Sequence, residues 1–277
     1  MTGKPSIGVR SGMVMTVLGP IPVDQMGVTL MHEHILLDAS AWWKRPCCAS
    51  DLAIAEQPVS VEIIGELRMN PFLNRDNCFL LDVNLAMGEL NRFADLGGHT
   101  VVDPTCFGIG RDAPALARIA RRTRLNIVMG SGYYLEGSHP DEVARMSADD
   151  IAAKIIADVG GGEEKPDIMA GLIGEIGVSK DFTPAERKSL QGAARAAKAT
   201  GVPLSIHLPG WERLAHQVLD LVEAEGADLR QTILWRAPIW RGPRLTIRQW
   251  FATRVALPVS LGRSTKSGLG RAGRPPG

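Results

Sequence analysis

Residues 28–35 read Val-Thr-Leu-Met-His-Glu-His-Ile, an apolar run that carries two histidines, His32 and His34, near its end. Side chains alternate between the two faces of a β-strand, so a strand over Val28–Ile35 would point both imidazoles to the same side. Neutral imidazole is the commonest metal ligand in proteins. The stretch predicts either a metal site at the end of the first strand of a barrel or two histidines with a structural role in a loop.

Apolar, β-branched runs alternate with helical segments along most of the chain, which is typical of a parallel α/β fold. Five further strands are predicted, at Thr100–Asp103, Asn126–Met129, Ile168–Ile176, Pro203–His207 and Gln231–Leu234. Helices are predicted at about Asn84–Leu96, Ala113–Thr123, Thr183–Thr200 and Trp211–Glu225. This order favours a (β/α)8 TIM barrel, which needs about 250 residues. A doubly wound sheet is the alternative, but no Gly-x-Gly-x-x-Gly follows the first strand.

Two further residues that can carry chemistry stand near predicted strand ends. Glu175 lies among small and apolar residues, where an unpaired carboxylate is costly to bury, so it is either a metal ligand or held by a helix cap or salt bridge. His207 ends the fifth strand. A barrel would bring His32, His34, Glu175 and His207 around one mouth, and this set suits zinc or a similar ion.

The composition predicts a folded protein with a sizeable core, since 45% of the residues are hydrophobic and 22% are charged. No run of about 18 apolar residues marks a membrane span, and the first residues lack the apolar region of a signal peptide. The four cysteines form no C-x-x-C pair. We therefore expect a reduced, cytoplasmic protein with no membrane partner.

The net charge of +1 conceals a sharp break in composition. All 30 acidic residues and 21 of the 31 basic ones precede residue 229, so this part carries a net charge of −9. The final 49 residues carry the other 10 basic residues, no acidic ones, and three of the six tryptophans. After Leu234 neither helical nor strand periodicity continues, and 262–277 is rich in Gly, Arg and Pro, which is typical of disorder.

Five motifs occur in an order that resembles the phosphotriesterase family of the amidohydrolase superfamily, over about residues 12–234. They are Gly27-Val-Thr-Leu-Met-His-Glu-His, Asp103-Pro-Thr, Gly110-Arg-Asp, Gly171-Leu-Ile-Gly-Glu-Ile-Gly and Gly201-Val-Pro-Leu-Ser-Ile-His. The subgroup resembled is the phosphotriesterase-related proteins, in which a glutamate on strand four replaces the carboxylated lysine of other members.

The resemblance implies a site with two divalent ions, zinc or another metal. By that resemblance, His32 and His34 bind the more buried ion, Glu175 bridges the two ions and is catalytic, and His207 binds the second. Tyr134 matches a substrate-binding aromatic position, and a tyrosine there is similar to the lactonase-like branch. The activity implied is hydrolysis of a lactone, carboxylic ester or phosphotriester by a metal-activated hydroxide.

The chain departs from the family pattern where its composition breaks. The family has a histidine at the end of strand six and an aspartate at the end of strand eight, but Trp235 and Arg236 follow Leu234, and no His or Asp comes later. A shift of reading frame near Leu234 would explain this, because out-of-frame GC-rich DNA encodes Arg, Gly, Pro and Trp. We therefore predict a C-terminally incomplete barrel over 1–234 with impaired activity, and an aberrant basic tail over 235–277.

Two other functions stay open. The chain could be a catalytically inactive barrel that binds a small ligand, or the basic tail could bind single-stranded nucleic acid through arginines and tryptophans. We disfavour the nucleic-acid partner because the tail replaces barrel strands instead of extending a complete barrel. The expected partner is a small-molecule substrate, and the sequence leaves a homodimer open.

Overall fold

The computed structural model describes residues 12–160, 166–210 and 213–236. Its strands within these residues are β1 (Met13–Thr16), β2 (Gly19–Pro22), β3 (Val28–Leu30), β4 (Leu37–Asp38), β5 (Phe79–Leu80), β6 (Gly98–Asp103), β7 (Asn126–Ser131), β8 (Leu172–Gly177), β9 (Leu204–Leu208) and β10 (Thr232–Arg236). The α-helices are α1 (Ala49–Ala55), α2 (Ile64–Met69), α3 (Val83–Asp95), α4 (Ala113–Thr123), α5 (Ala148–Asp158), α6 (Pro184–Thr200) and α7 (Ala215–Ala224).

Six of these strands form one parallel sheet in the order β10-β9-β8-β7-β6-β3, so neighbours in the sheet follow one another along the chain. Helices α3, α4 and α6 pack against strands β6, β7 and β8, respectively. This curled sheet with helices on its outside is an incomplete (β/α)8 barrel, as the sequence predicted. The carboxyl ends of its parallel strands meet at one rim, where sites lie in barrels of this kind.

Alternate residues of the strands point to opposite faces of the sheet. Val101, Ile127 and Ile173 belong to the large buried cluster that also includes the apolar faces of the helices. On the other face lies a smaller cluster of Val102, Val128 and Leu172, against which Val14 of the β1–β2 hairpin packs. Because side chains alternate along each strand, one face of the sheet packs against the helices in an outer core, and the other face packs in a smaller inner core.

Helix α6 begins and ends at residues that cap it. The Thr183 hydroxyl accepts a hydrogen bond from the Glu186 backbone N–H, and the Glu186 carboxylate accepts one from the Thr183 N–H. Pro184 occupies the first turn, where its missing N–H costs nothing. Gly201 ends the helix with a φ of +71°, a left-handed conformation that glycine adopts without strain.

The first strand of the sheet is shorter than predicted. Instead of a strand over Val28–Ile35, β3 ends at Leu30, and both histidines lie in the irregular segment that follows it. Among the described strands β3 lies at the sheet edge, and its pairing with β6 shifts register after Val28. An edge strand with one partner and a register shift loses its ladder early.

The other predicted elements are confirmed, α4 at its predicted bounds and the rest with shifted ends. The predicted Ile168–Ile176 begins later, at Leu172, and Ala170 before it donates its N–H to the carbonyl of Asp158 at the end of α5. The last predicted helix is shorter and begins at Ala215. The hairpin of β1 and β2 and helix α5 were not predicted, although Ser147 and Asp150 form a capping box at the start of α5. The predicted tail over 235–277 lies outside the described residues except for Trp235 and Arg236, which belong to β10.

None of the helices in the described part of the chain is both long and apolar enough to cross a membrane.

Candidate metal centre

Strand β8 holds Glu175 at the rim of the barrel with its side chain only 2% exposed. The backbone N–H of Glu175 donates to the carbonyl of Pro104, which follows β6, over 2.9 Å. Gly174 precedes it with a φ of +118°, and a Cβ there would lie 2.1 Å from the carbonyl oxygen of Ser205. Only glycine fits so close to β9, so the local sequence fixes the position of the carboxylate.

Three imidazoles surround this carboxylate. His207 of β9 places its Nδ1 3.0 Å from Oε1 of Glu175. His32 and His34 place their Nε2 atoms 3.5 Å and 3.9 Å from the other oxygen, Oε2. All three imidazoles are between 23% and 31% exposed, so a small molecule can reach them while the carboxylate stays buried.

A chain of hydrogen bonds behind His34 defines which of its nitrogens carries the proton. Its Nδ1 lies 2.9 Å from the hydroxyl of Thr105, and that hydroxyl also contacts Oδ1 of Asp103. The hydroxyl has one proton, and the carboxylate is its strongest acceptor. The hydroxyl must therefore accept from the Nδ1–H of His34. The Nε2 that faces Glu175 is then unprotonated and carries a free lone pair.

Burial and charge shift the pKa values of His34 and Glu175 in the direction that a metal site needs. Burial is the main cause that lowers the pKa of His34 and thus keeps the imidazole neutral, against the opposing charge of Glu175. For Glu175 burial alone would raise the pKa, but the contacts with His207 and His32 outweigh it and lower the pKa to about 2. Neutral imidazole beside an ionised carboxylate is the donor set that divalent ions bind.

Aromatic side chains border the imidazoles on two sides. The ring of Tyr134, which follows β7, lies 5.1 Å from the ring of His207 and 5.6 Å from that of Trp42. Across the mouth, the ring of Trp235 lies 4.6 Å from that of His32. Burial, followed by the charge of Glu175, raises the pKa of the Tyr134 phenol, so it stays protonated at neutral pH.

The structure brings together all five residues that the sequence singled out, His32, His34, Glu175, His207 and Tyr134, although their roles stay predictions. Sequence reasoning missed the part played by Thr105 and the wall formed by Trp42. The Asp103-Pro-Thr motif was a usable signal for Thr105, since it follows a strand at the same rim. Trp42 gave no such signal, because it lies in a short 3-10 helix, Ser40–Trp42, after β4, and neither element was predicted.

The residues present fit one divalent ion. One donor atom each of His32, His34 and Glu175 lies within 4.8 Å of the others, and no other group of three His, Cys, Asp or Glu in the described residues does so. Nδ1 of His32 is buried without a hydrogen-bond partner in the same region. Two imidazole nitrogens and a carboxylate oxygen match zinc and similar ions.

Comparisons with known proteins show which family and which relatives the chain resembles. The model of the phosphotriesterase family matches residues 12–237. An N-acetyltaurine hydrolase of Tetraodon nigroviridis is 37% identical over 226 residues, which cover 81% of this chain and 64% of the relative. The chain thus spans about 64% of the length of such curated relatives.

Two solved structures resemble this chain. A resiniferatoxin-binding protein from Rhodobacter sphaeroides is 56% identical with a TM-score of 0.79, over 82% of this chain and 64% of the other. A lactonase from Listeria monocytogenes, 22% identical with a TM-score of 0.62 over 80% of this chain and 64% of the other, shares the fold.

Proposed function

As the chain belongs to the phosphotriesterase family, we propose that it is a metal-dependent hydrolase whose preferred substrates are lactones or carboxylic esters. The observation that carries this proposal is the convergence of His32, His34 and His207 on the buried carboxylate of Glu175. His32, His34 and Glu175 would hold a divalent ion such as zinc, and that ion would provide a Lewis acid and a nucleophile derived from water at neutral pH.

Each residue of the site has a part in this function. Glu175 is ionised at neutral pH because its pKa is about 2, so it offers a full negative charge to a cation. The Nδ1–H of His207 donates a hydrogen bond to Oε1 of Glu175 and so keeps the carboxylate oriented. The protonated phenol of Tyr134 can donate a hydrogen bond to a substrate oxygen, so we assign it to substrate binding and not to proton abstraction.

Two observations support carbonyl chemistry at this site. The paired rings of Tyr134 and Trp42 form an apolar wall beside His207, which suits a lactone ring or an acyl chain. The relative from Tetraodon nigroviridis is named for the hydrolysis of N-acetyltaurine, an amide. A phosphotriester remains the third substrate class to test.

A second candidate function is binding of a small apolar ligand without turnover. The resiniferatoxin-binding protein is 56% identical to this chain, and its name describes binding. Residues 235–277 contain neither the His nor the Asp that the resemblance leads one to expect after Leu234. The aromatic wall would then serve as a ligand pocket, and binding would be independent of metal.

Activity of the full chain on a panel of a lactone, an aryl ester, an N-acetyl amide and a phosphotriester tests the proposal. With zinc present, we expect turnover of a lactone or ester that His32→Ala abolishes. His99→Ala, which removes an exposed histidine from the opposite end of β6, is the matched control and should keep full activity. No turnover of any substrate, together with apolar ligand binding that a chelator leaves unchanged, would favour the binding protein instead.

A further inference from the structure

The side chain of Trp235 reaches across the mouth of the incomplete barrel. In β10 it pairs in register with His207 of β9, so both residues lie at the same rim. Its ring stacks edge-on against His32, at 4.6 Å between centroids and 75° between planes. His32 follows β3, at the far edge of the six-stranded sheet. The indole therefore bridges the two ends of the described sheet beside His32 of the candidate metal centre.

Trp235 brings no metal-binding atom to this position. Its one polar atom, Nε1, donates a hydrogen bond to the hydroxyl of Ser205 over 2.8 Å. An indole N–H is a donor only and has no lone pair for a cation. The side chain therefore fills space beside His32 and His207 without supplying a ligand.

Among the described residues, the donors that remain are too few for a second ion. Once His32, His34 and Oε2 of Glu175 hold one ion, the described residues around Glu175 leave Oε1 and His207, which are bonded to each other. Residues 229–277 contain no His, Asp, Glu or Cys, so this stretch supplies none of these side chains to a second ion. A catalytic zinc ion takes three protein ligands, and two remaining donors fall short of this number.

We propose that this chain binds a single divalent ion, at His32, His34 and Glu175, and that Trp235 occupies the place from which a third ligand for a second ion would come. This inference rests on the metal site of the proposed function. The family resemblance implies two ions, and we attribute the loss of the second ion to Trp235.

Counting bound metal tests the inference directly. The full chain, freed of metal and then dialysed against excess free zinc, should retain one ion per chain. Trp235→His puts an imidazole beside His207 and should raise the number to two, whereas Trp235→Phe keeps an apolar ring and should leave it at one. His32→Ala should reduce retention in the wild-type background to below one. Circular dichroism and thermal melts establish that each variant is folded.

The outcomes separate the inference from the proposed function. Two ions in the wild-type chain would overturn the inference and leave the metal-dependent hydrolase standing. No ion in the wild-type chain would refute the metal site and, with it, the proposed function. One ion in both the wild-type chain and a folded Trp235→His variant would refute the role given to Trp235. If Trp235→His does not fold, the wild-type count and Trp235→Asp, which supplies a carboxylate, decide the question.

Discussion

Replacing Thr105 by valine should weaken metal binding although Thr105 touches no metal. Valine has nearly the shape of threonine, and the site is only 1% exposed, so the substitution changes chemistry more than packing. It removes the hydroxyl that accepts the Nδ1–H of His34 at 2.9 Å and donates to Asp103. The imidazole then loses the contact that fixes its orientation and its tautomer.

The size of the effect follows from these two lost hydrogen bonds. Loss of a partner that orients a metal-ligating histidine lowers metal affinity about 10- to 100-fold. In the metal-free protein, Asp103 still accepts from the backbone N–H groups of Thr105 and Ile35, at 2.9 Å and 3.3 Å. We therefore expect a loss of about 1–3 kcal/mol in the free energy of unfolding, the usual cost of an unsatisfied buried partner.

Two measurements check this prediction. Competition with a chromophoric chelator gives the zinc affinity, and urea denaturation of the metal-free protein gives the free energy of unfolding. Thr105→Ser keeps the hydroxyl and is the control, expected to bind zinc nearly as the wild type does. The reasoning is refuted if Thr105→Val binds zinc with unchanged affinity, or if Thr105→Ser weakens binding as much as Thr105→Val.

Burial raises the pKa of Asp103 to about 6 despite the hydrogen bonds from Thr105, so between about pH 4 and pH 6 the native state holds a proton that the unfolded state has lost. Its contribution to the free energy of unfolding should therefore fall by about 3 kcal/mol as the pH rises through this window. Urea denaturation of the metal-free wild type and of Asp103→Asn across this pH range isolates the contribution of Asp103. A difference in the free energy of unfolding that does not change with pH would contradict the prediction. Arg111 and Asp158 form a bidentate pair at 2.6 Å and 2.8 Å with side chains 7% and 14% exposed, so Arg111→Met should cost about 3–5 kcal/mol. Arg92→Met, at a pair whose arginine is 77% exposed, should cost under about 1 kcal/mol in the same denaturation assay, and equal losses would count against burial as the cause.

Helix α4 illustrates what local sequence can predict. It was predicted at about Ala113–Thr123, and these are its bounds in the structure. The Asp112 carboxylate caps α4 by accepting from the N–H of Ala115, and Pro114 lies in its first turn, so the contacts that start this helix join residues within four positions of one another. Strand β3 shows the opposite case. Its early end depends on pairing with β6, about 70 residues away, and no local pattern reports that pairing.

The sequence by itself determined the parallel α/β order, the barrel class and the candidate ligands His32, His34, Glu175 and His207, because hydrophobic periodicity and residue chemistry are local properties. Only the tertiary structure decided that Thr105 fixes the tautomer of His34 and that Trp235 lies against His32. These contacts join residues 71 and 203 positions apart in the chain. They exist only because the curled sheet brings its strand ends together at one rim, and distance along the chain carries no record of that proximity.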